Sequence, residues 1–473
     1  MKQLEKLISQ IASRMNAILF KQGFDADLYI QKCIPLDKMN KFYAFYGITS
    51  SHPLGFYFRH SNLAGSYFLG KCAVENSILY KSDIRGDELK AQGDIFHHQG
   101  SDIVLYDDEV IRIKGSFLIK TLVHNYSHNP ENLEEFSILS TVSMHYANIH
   151  GSPMDGCFLG PFSTVDLTTL HNCVVGAYAY LQTGELSNKR IEPGQILISN
   201  KDLFDFSYRF SSKDLNNYIA FEPGKKPHGI FVDFTENRKK DFQKLFAVVH
   251  LKARIKISDC ASINRYAVVK GETHVGKNVL VAQRAYLENA WLGDGANAQE
   301  NCYIINSRLA GNNVTAHGAN IIHAQLENKV FVGFNSFLQG SLNCPLTIGK
   351  ESIIMPHTII DLKEPLDIPP GHLVWGLIRD RKDVKEHSIL LKDFSRVNGK
   401  FSRGLMHFKG SGSSFVKAFR DRIEHILEAN GAYFDGSKNK GHAQMGRDIS
   451  FNIIQPYPRG PLEGLYPTIA IHS

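Results

Sequence analysis

The 473-residue sequence contains no Cys-x-x-C pair, and its seven cysteines (Cys33, Cys72, Cys157, Cys173, Cys260, Cys302 and Cys344) are scattered and odd in number. That argues against a disulfide framework and against a cysteine zinc site, and the expectation is reduced thiols in a cytoplasm. There is no apolar run long enough to span a membrane. The N-terminus has no continuous apolar core with a small-residue cleavage site, so a signal peptide is not expected. Gly-x-Ser-x-Gly, the phosphate-binding loop and the dinucleotide fingerprint are all missing. Strong charge is missing too. A net charge of +6 and a pI near 8.7 suit phosphorylated or carboxylated substrates but are too weak to argue for nucleic acid.

What the chain does have is a short repeat. Val275, Leu292, Leu309 and Leu326 follow one another at 17-residue intervals, three with Gly, Ala or Glu immediately after and Leu292 with Gly293. Within each interval the aliphatic steps are six, six and five: Val275, Val281, Leu287; Leu292, Ala298, Ile304; Leu309, Thr315, Ile321; Leu326, Val332, Leu338. Ile257, Ile263 and Val269 precede them, and Ile348, Ile354 and Ile360 follow, at the same six-residue step. A period of six is neither helical nor simple alternation, and sustained this long it marks a solenoid whose units bury their apolar rows against each other. Small or β-branched residues (Val279, Ala285, Ala290, Ala296, Cys302, Ser307, Ala324) recur where a three-sided coil leaves little room. Gly, Asn and Asp cluster after the aliphatics, as in Gly276-Lys277-Asn278 and Gly293-Asp294-Gly295, where tight corners are needed. Around 309–322 a register one residue later also fits, through Ala310-Gly311.

These phrases, with Val332-Gly333-Phe334-Asn335 and the proline-rich exit Ile368-Pro369-Pro370-Gly371, resemble the hexapeptide-repeat transferases. The resemblance implies a left-handed parallel β-helix, usually a homotrimer, with active sites in clefts between prisms. Weaker versions of the rhythm at Leu63-Ala64-Gly65, Leu69-Gly70, Val74 to Ile78 and Cys157 to Phe162, with the exit Ile191-Glu192-Pro193-Gly194, suggest a second, earlier block. The expected organisation is a helical segment over 1–56, with an apolar stripe of Leu4, Ile8, Ile11, Met15 and Ile18 ended near Gly23. A first β-helical block over 57–200 follows, interrupted by an insertion at 86–150 with a strand from Ile103 to Ile119. A connector over 201–256 contains a helix from Glu236 to His250. The main β-helix occupies 257–378. A helical extension and tail over 379–473 holds a helix with Phe415, Phe419, Ile423 and Ile426 on one face, capped by Ser413 or Ser414 and stopped at Gly431.

In such a prism the interior is too narrow for substrate, so outward histidines near corners carry the functional expectation. His317 and His323 lie six apart, hence on different faces of one coil, and both are expected to point outward. Glu300, 17 residues before His317, lies one coil below, at about 4.8 Å, where a carboxylate can hold the imidazole in one tautomer. Asn306 and Asn289 form the column below His323, and His357 lies two coils above Gly318. The resemblance implies an acyltransferase in which His317 or His323 is the general base. The acyl group would come from coenzyme A or an acyl carrier protein and pass to a hydroxyl or amine of a small acceptor, possibly a sugar or nucleotide-sugar, with no tightly bound cofactor. Lys350, Lys363, Arg379 and Arg381 are candidates for the donor's phosphates, helped by an excursion at Ser341 to Thr347, with plain solvated surface as the reading favoured over that role. A zinc enzyme of the γ-class carbonic anhydrase type is the alternative, but Gln283 and Asn289 stand where its third histidine belongs, so no metal ligand is assigned. His97-His98, His145 and His150 form a further histidine group. A non-catalytic assembly protein is the third reading.

Overall fold

A computed structural model describes residues 1–30, 33, 36–49, 54–98, 100–126, 135–245, 257–258 and 260–472. The chain forms two units, one of Met1–Gln195, Leu215–Gly229 and Ile449–Ser473, the other of Ile196–Asp214 and Ile230–Asp448.

In the second unit the six-residue steps become strands of two or three residues, three to a coil. Each strand pairs in parallel with its counterpart in the next coil. Val275 aligns with Leu292, then Leu309, then Leu326; Leu287 aligns with Ile304, Ile321 and Leu338. The register through Leu309 is therefore the first of the two that the sequence allowed. Leu326 pairs with Ile348 and Leu338 with Ile360, so residues 341–345 leave the coil without disturbing the stack. The aligned aliphatics form one buried interior with Ala285, Ala290, Ala296, Cys302, Ala319 and Ala324 at its narrow points. Each corner requires a left-handed residue, supplied at one edge by Asn289, Asn306 and His323 and at another by Arg284, Asn301, Gly318, Asn335 and His357. Close approach between coils also selects glycine: a Cβ on Gly293 would stand 1.9 Å from the Ala310 carbonyl oxygen.

Two faces of this β-helix are covered. Helices Ile230–Asn237 and Lys239–Leu245 lay Phe231 and Phe234 on Phe337, and Phe234 and Phe242 on Tyr303. They replace the single expected helix, whose residues 246–250 lie outside the described residues. Helix Gly412–Ala429 buries Phe415, Val416, Phe419, Ile423 and Leu427, and Phe419 meets Phe331. Its cap is Ser411, which accepts from the Ser414 amide, rather than Ser413 or Ser414. Ile426 is only half-buried. The third face presents His274, Trp291, Arg308 and Gln325 to solvent. The last turns are closed by helix Arg381–His387, where Asp380 caps the start and the His387 carbonyl accepts from the Trp375 amide.

The first unit has the same parallel ladders at a 16-residue step. Val142, Phe158, Val174 and Arg190 align, as do Asn148, Thr164 and Tyr180. Here the structure corrects the expected insertion at 86–150. Strands Ile111–Lys114, Phe117–Ile119, Leu122–Tyr126, Ser137–Leu139, Val142–Ser143 and Asn148–His150 are all regular members of the coils. Among the described residues of 86–110, a hairpin of Ile95–His98 with Ser101–Val104 leaves the ladder, and Cys72 pairs directly with Ile111 across it. The expected strand from Ile103 to Ile119 is thus three strands in different sheets, because long loops between coils hid the period. Helix Lys2–Leu19 buries Leu4, Leu7, Ile11, Ala12, Met15 and Leu19 against Ile78, Phe117, Val142, Phe158 and Val174. The chain's last residues are not a free tail: Ser450–Ile454 pairs antiparallel with Ala44–Ile48, and Ile469–Ile471 with Phe56–Arg59. No helix of the described residues is long and apolar enough to cross a membrane.

Two stability outcomes follow. Leu309→Ala, deep in the stack, is expected to lower unfolding free energy by about 2–5 kcal/mol in urea titrations, whereas Gln325→Ala on the solvent side should stay within about 0.5 kcal/mol. Burial holds the His387 imidazole below its usual range, against the opposing pull of Asp383 and Glu386. An imidazole depressed in the folded state contributes stability that is complete above its unfolded value near ~6.5 and is lost as pH falls through the folded value. The urea midpoint should fall below that pH, and less steeply in His387→Asn than in wild type.

Candidate active site

Coil stacking in the second unit places Gln283, Glu300, His317 and Phe334 in one column, tied through the backbone by Asn301 N–H to Gln283 O, Gly318 N–H to Glu300 O and Asn335 N–H to His317 O. Each of these four residues immediately precedes the left-handed corner residue of its coil. The His317 Nδ1 lies 2.9 Å from Glu300 Oε2, and their side chains are 3% and 2% exposed. The contact is at ion-pair distance, and in the tautomer that turns an N–H to the carboxylate Nδ1 carries the proton and Nε2 is the basic nitrogen. A carboxylate beside the ring is the kind of partner that stabilises the imidazolium a general base becomes once it has taken a proton. The Phe334 ring lies 5.5 Å from the imidazole.

The other expected residues are placed differently. His317 points away from the apolar interior but is 2% exposed, so it is not on an open cleft wall. His323 is half-buried at another corner, where its Nε2 meets Asn306 Nδ2 at 3.3 Å and Asn306 accepts from Asn289 at 3.0 Å. This is a ladder of corner side chains, and it supports the backbone turn. His317 and His323 therefore do not share a centre within one unit. His357 is fully buried with a positive φ, its amide bonded to the Phe334 carbonyl. Lys350 sits in the turn after Leu346–Ile348, away from Lys363, Arg379 and Arg381, which gather at the turn after Ile359–Asp361. Arg379 is held by Asp214 and Asp383, and Arg381 by Glu364, so these cations already have carboxylate partners. Cys302, inside the coil, is pushed up to about 12 by burial and is no nucleophile.

The first unit carries a second polar column that sequence reading caught only at His150. Arg85, His124, His150 and Asp166 occupy aligned positions in successive coils. His150 Nδ1 is 2.8 Å from Asp166 Oδ1, and the Tyr180 hydroxyl donates to the other oxygen of Asp166. His124 Nε2 is 3.4 Å from Glu88 Oε1, and Arg85 is clasped by both oxygens of Asp87. Burial, opposed by Glu88 and aided by His150 and Arg85, holds the His124 imidazole below its usual range. The His150–Asp166 pair was readable as a histidine 16 residues, one coil, before an aspartate. His124 was not, because its step to His150 is lengthened by a loop. His145 is half-buried beside Tyr146, and His97 pairs with Asp102 on the exposed hairpin. The His98 side chain lies outside the described residues.

A family model described as a hexapeptide repeat including a loop matches residues 101–223. A crystal structure from Desulfovibrio desulfuricans G20, carrying the provisional name acetyltransferase, is 53% identical with a TM-score of 0.92, over 100% of this chain and 99% of that one. The chain belongs to the hexapeptide-repeat, left-handed β-helix superfamily of transferases. The resemblance read from the repeats is borne out at that level. Two other structures align with this hexapeptide-repeat protein too weakly to argue from. A provisionally named acetyltransferase from Bacillus cereus is 15% identical, with a TM-score of 0.27 over 39% of this chain and 92% of that one. UDP-N-acetylglucosamine acyltransferase from Campylobacter jejuni is 12% identical, with a TM-score of 0.12 over 63% and 84%. No curated protein sequence matches the chain.

Proposed function

We propose that this hexapeptide-repeat protein is an acyltransferase. It would move an acyl group from a coenzyme A or acyl carrier protein thioester to a hydroxyl or amine of a small acceptor, with sugars and nucleotide-sugars among the classes to test. The observation that carries the reading is the buried Glu300–His317 pair at 2.9 Å; the 53% identical relative's provisional name supports the reaction class. His317 Nε2 takes the acceptor's proton as the acceptor oxygen or nitrogen attacks the thioester carbonyl. The tetrahedral intermediate collapses with cleavage of the carbon–sulfur bond, and the imidazolium returns its proton to the departing thiolate. Glu300 is a positioning residue that fixes the tautomer. His323 and His357 serve the corners. Lys363, Arg379 and Arg381 form the cationic group best placed to meet donor phosphates, the two arginines by exchange with their present carboxylate partners. The reading includes a cytoplasmic homotrimer; a solution mass of one 53.2 kDa chain in light scattering would remove the trimer.

The test is release of free thiol from acetyl-coenzyme A and longer acyl thioesters in the presence of amino-sugar and nucleotide-sugar acceptors. His317→Ala should lower kcat by about 10²–10⁴, Glu300→Gln by less, and His323→Ala by little. Turnover unchanged in His317→Ala would overturn the assignment.

A further inference from the structure

Two faces of the second unit's β-helix carry helices, and the third stays open to solvent. On it His274, Trp291, Arg308, Gln325, Thr347 and Asp367 stand one above another, each a coil from the next. All but Thr347 are exposed, Trp291 at 41%. The first three are already stacked. The His274 imidazole lies 3.8 Å from the Trp291 ring with the planes 19° apart, and the Arg308 guanidinium stands 4.7 Å from that ring. With one neighbour a coil below and the other a coil above, both faces of the indole are taken, so no sugar or base can stack on it. What remains is the outer edge of an ordered wall. Ordering in advance lowers the cost of burying it, and Trp and Arg are the side chains that most often carry association energy. Among the described residues neither Arg308 nor Asp367 has a counter-ion. The column is also asymmetric along the stack: imidazole, indole and guanidinium fill its first half, and amide, hydroxyl and carboxylate its second.

We propose that this face docks on the same face of a second copy of the chain, the two stacks running antiparallel about a two-fold axis between the levels of Arg308 and Gln325. Coils spaced by about 4.8 Å keep both columns in step. His274 then faces Asp367, Trp291 faces Thr347 and Arg308 faces the Gln325 amide, each pair occurring twice. Asp294 and Lys350, both exposed and each two residues past the inward aliphatic of its coil (Leu292 and Ile348), come level with one another as well. No charge meets its like. Sliding the stacks by one coil sets Arg308 against Arg308, and sliding them the other way sets Asp367 on the indole and leaves His274 without a partner. An axis parallel to the stack keeps every level beside itself, so it brings Arg308 to the height of Arg308. Charge complementarity therefore selects the antiparallel pairing in full overlap. The pairing does not rest on the acyl-transfer reading; joined to the proposed trimer it gives six chains.

The experiment is sedimentation equilibrium of the full-length protein over a range of concentrations. The wild type should reach a mass that is an even multiple of the 53.2 kDa chain. Trp291→Ser and Arg308→Glu should each raise the dissociation constant of the pair by about 30-fold or more and halve the mass on dilution. Asp367→Lys should weaken pairing by about 10-fold, and adding His274→Glu should restore it, because the two changes exchange charges that face each other across the axis. All four positions are exposed, so circular dichroism should be unchanged in every variant. A wild-type mass of one chain, or of any odd number of chains, would overturn the proposal. So would a mass unmoved by Trp291→Ser and Arg308→Glu, or a double variant that associates no better than Asp367→Lys alone. No acyl substrate enters the measurement, so its failure leaves the His317 assignment standing.

Discussion

Vertical alignment of the coils is the constraint on which everything else depends. Each short strand is paired above and below by backbone hydrogen bonds, so a residue's neighbours are set by coil length rather than by local conformation. The apolar interior holds the alignment: Leu287, Ile304, Ile321 and Leu338 can all face inward only if every coil keeps its register. The same alignment that stacks aliphatics inside stacks polar side chains outside. A carboxylate and an imidazole one coil apart then meet with no local motif between them, as Glu300 meets His317 and Asp166 meets His150.

That arrangement explains how pairs of titratable groups are held without dedicated loops. A corner residue has its φ fixed by the turn, and the residue before it projects from a backbone pinned on both sides. Preorganisation of this kind leaves little side-chain freedom to be lost when a substrate or ion arrives. Buried ion pairs are not in themselves a strong source of stability, because desolvation offsets the attraction. Their value here is positional, and the stack carries the stability.

Legibility of the sequence followed the regularity of the coils. Where 17-residue steps repeat without interruption, the fold and the Glu300–His317 pairing could be read, because one interval converts position into proximity, while the register around 309–322 stayed open between two choices until Leu309 was seen to pair with Leu292 and Leu326. In the first unit the step is 16, and it is stretched to 39 between Cys72 and Ile111 by the hairpin. The regular strands from Ile111 to His150 therefore looked like an insertion, and His124 stayed hidden. The exposure of His317 was also out of reach of the sequence: an alignment rule gives which residues share a column, not what lies over that column. His323 shows the reverse case. Its spacing made it look functional, but the structure shows it continuing the Asn289–Asn306 ladder at a left-handed corner.

A double-mutant cycle on thioester turnover tests the central claim most directly, since it measures whether Glu300 acts through His317 or independently of it. The account predicts that Glu300→Gln combined with His317→Ala is no slower than His317→Ala alone, because the carboxylate has nothing left to orient. Losses that multiply in the double variant would mean the two residues work separately, and stacking of one coil on the next would not be what builds the site.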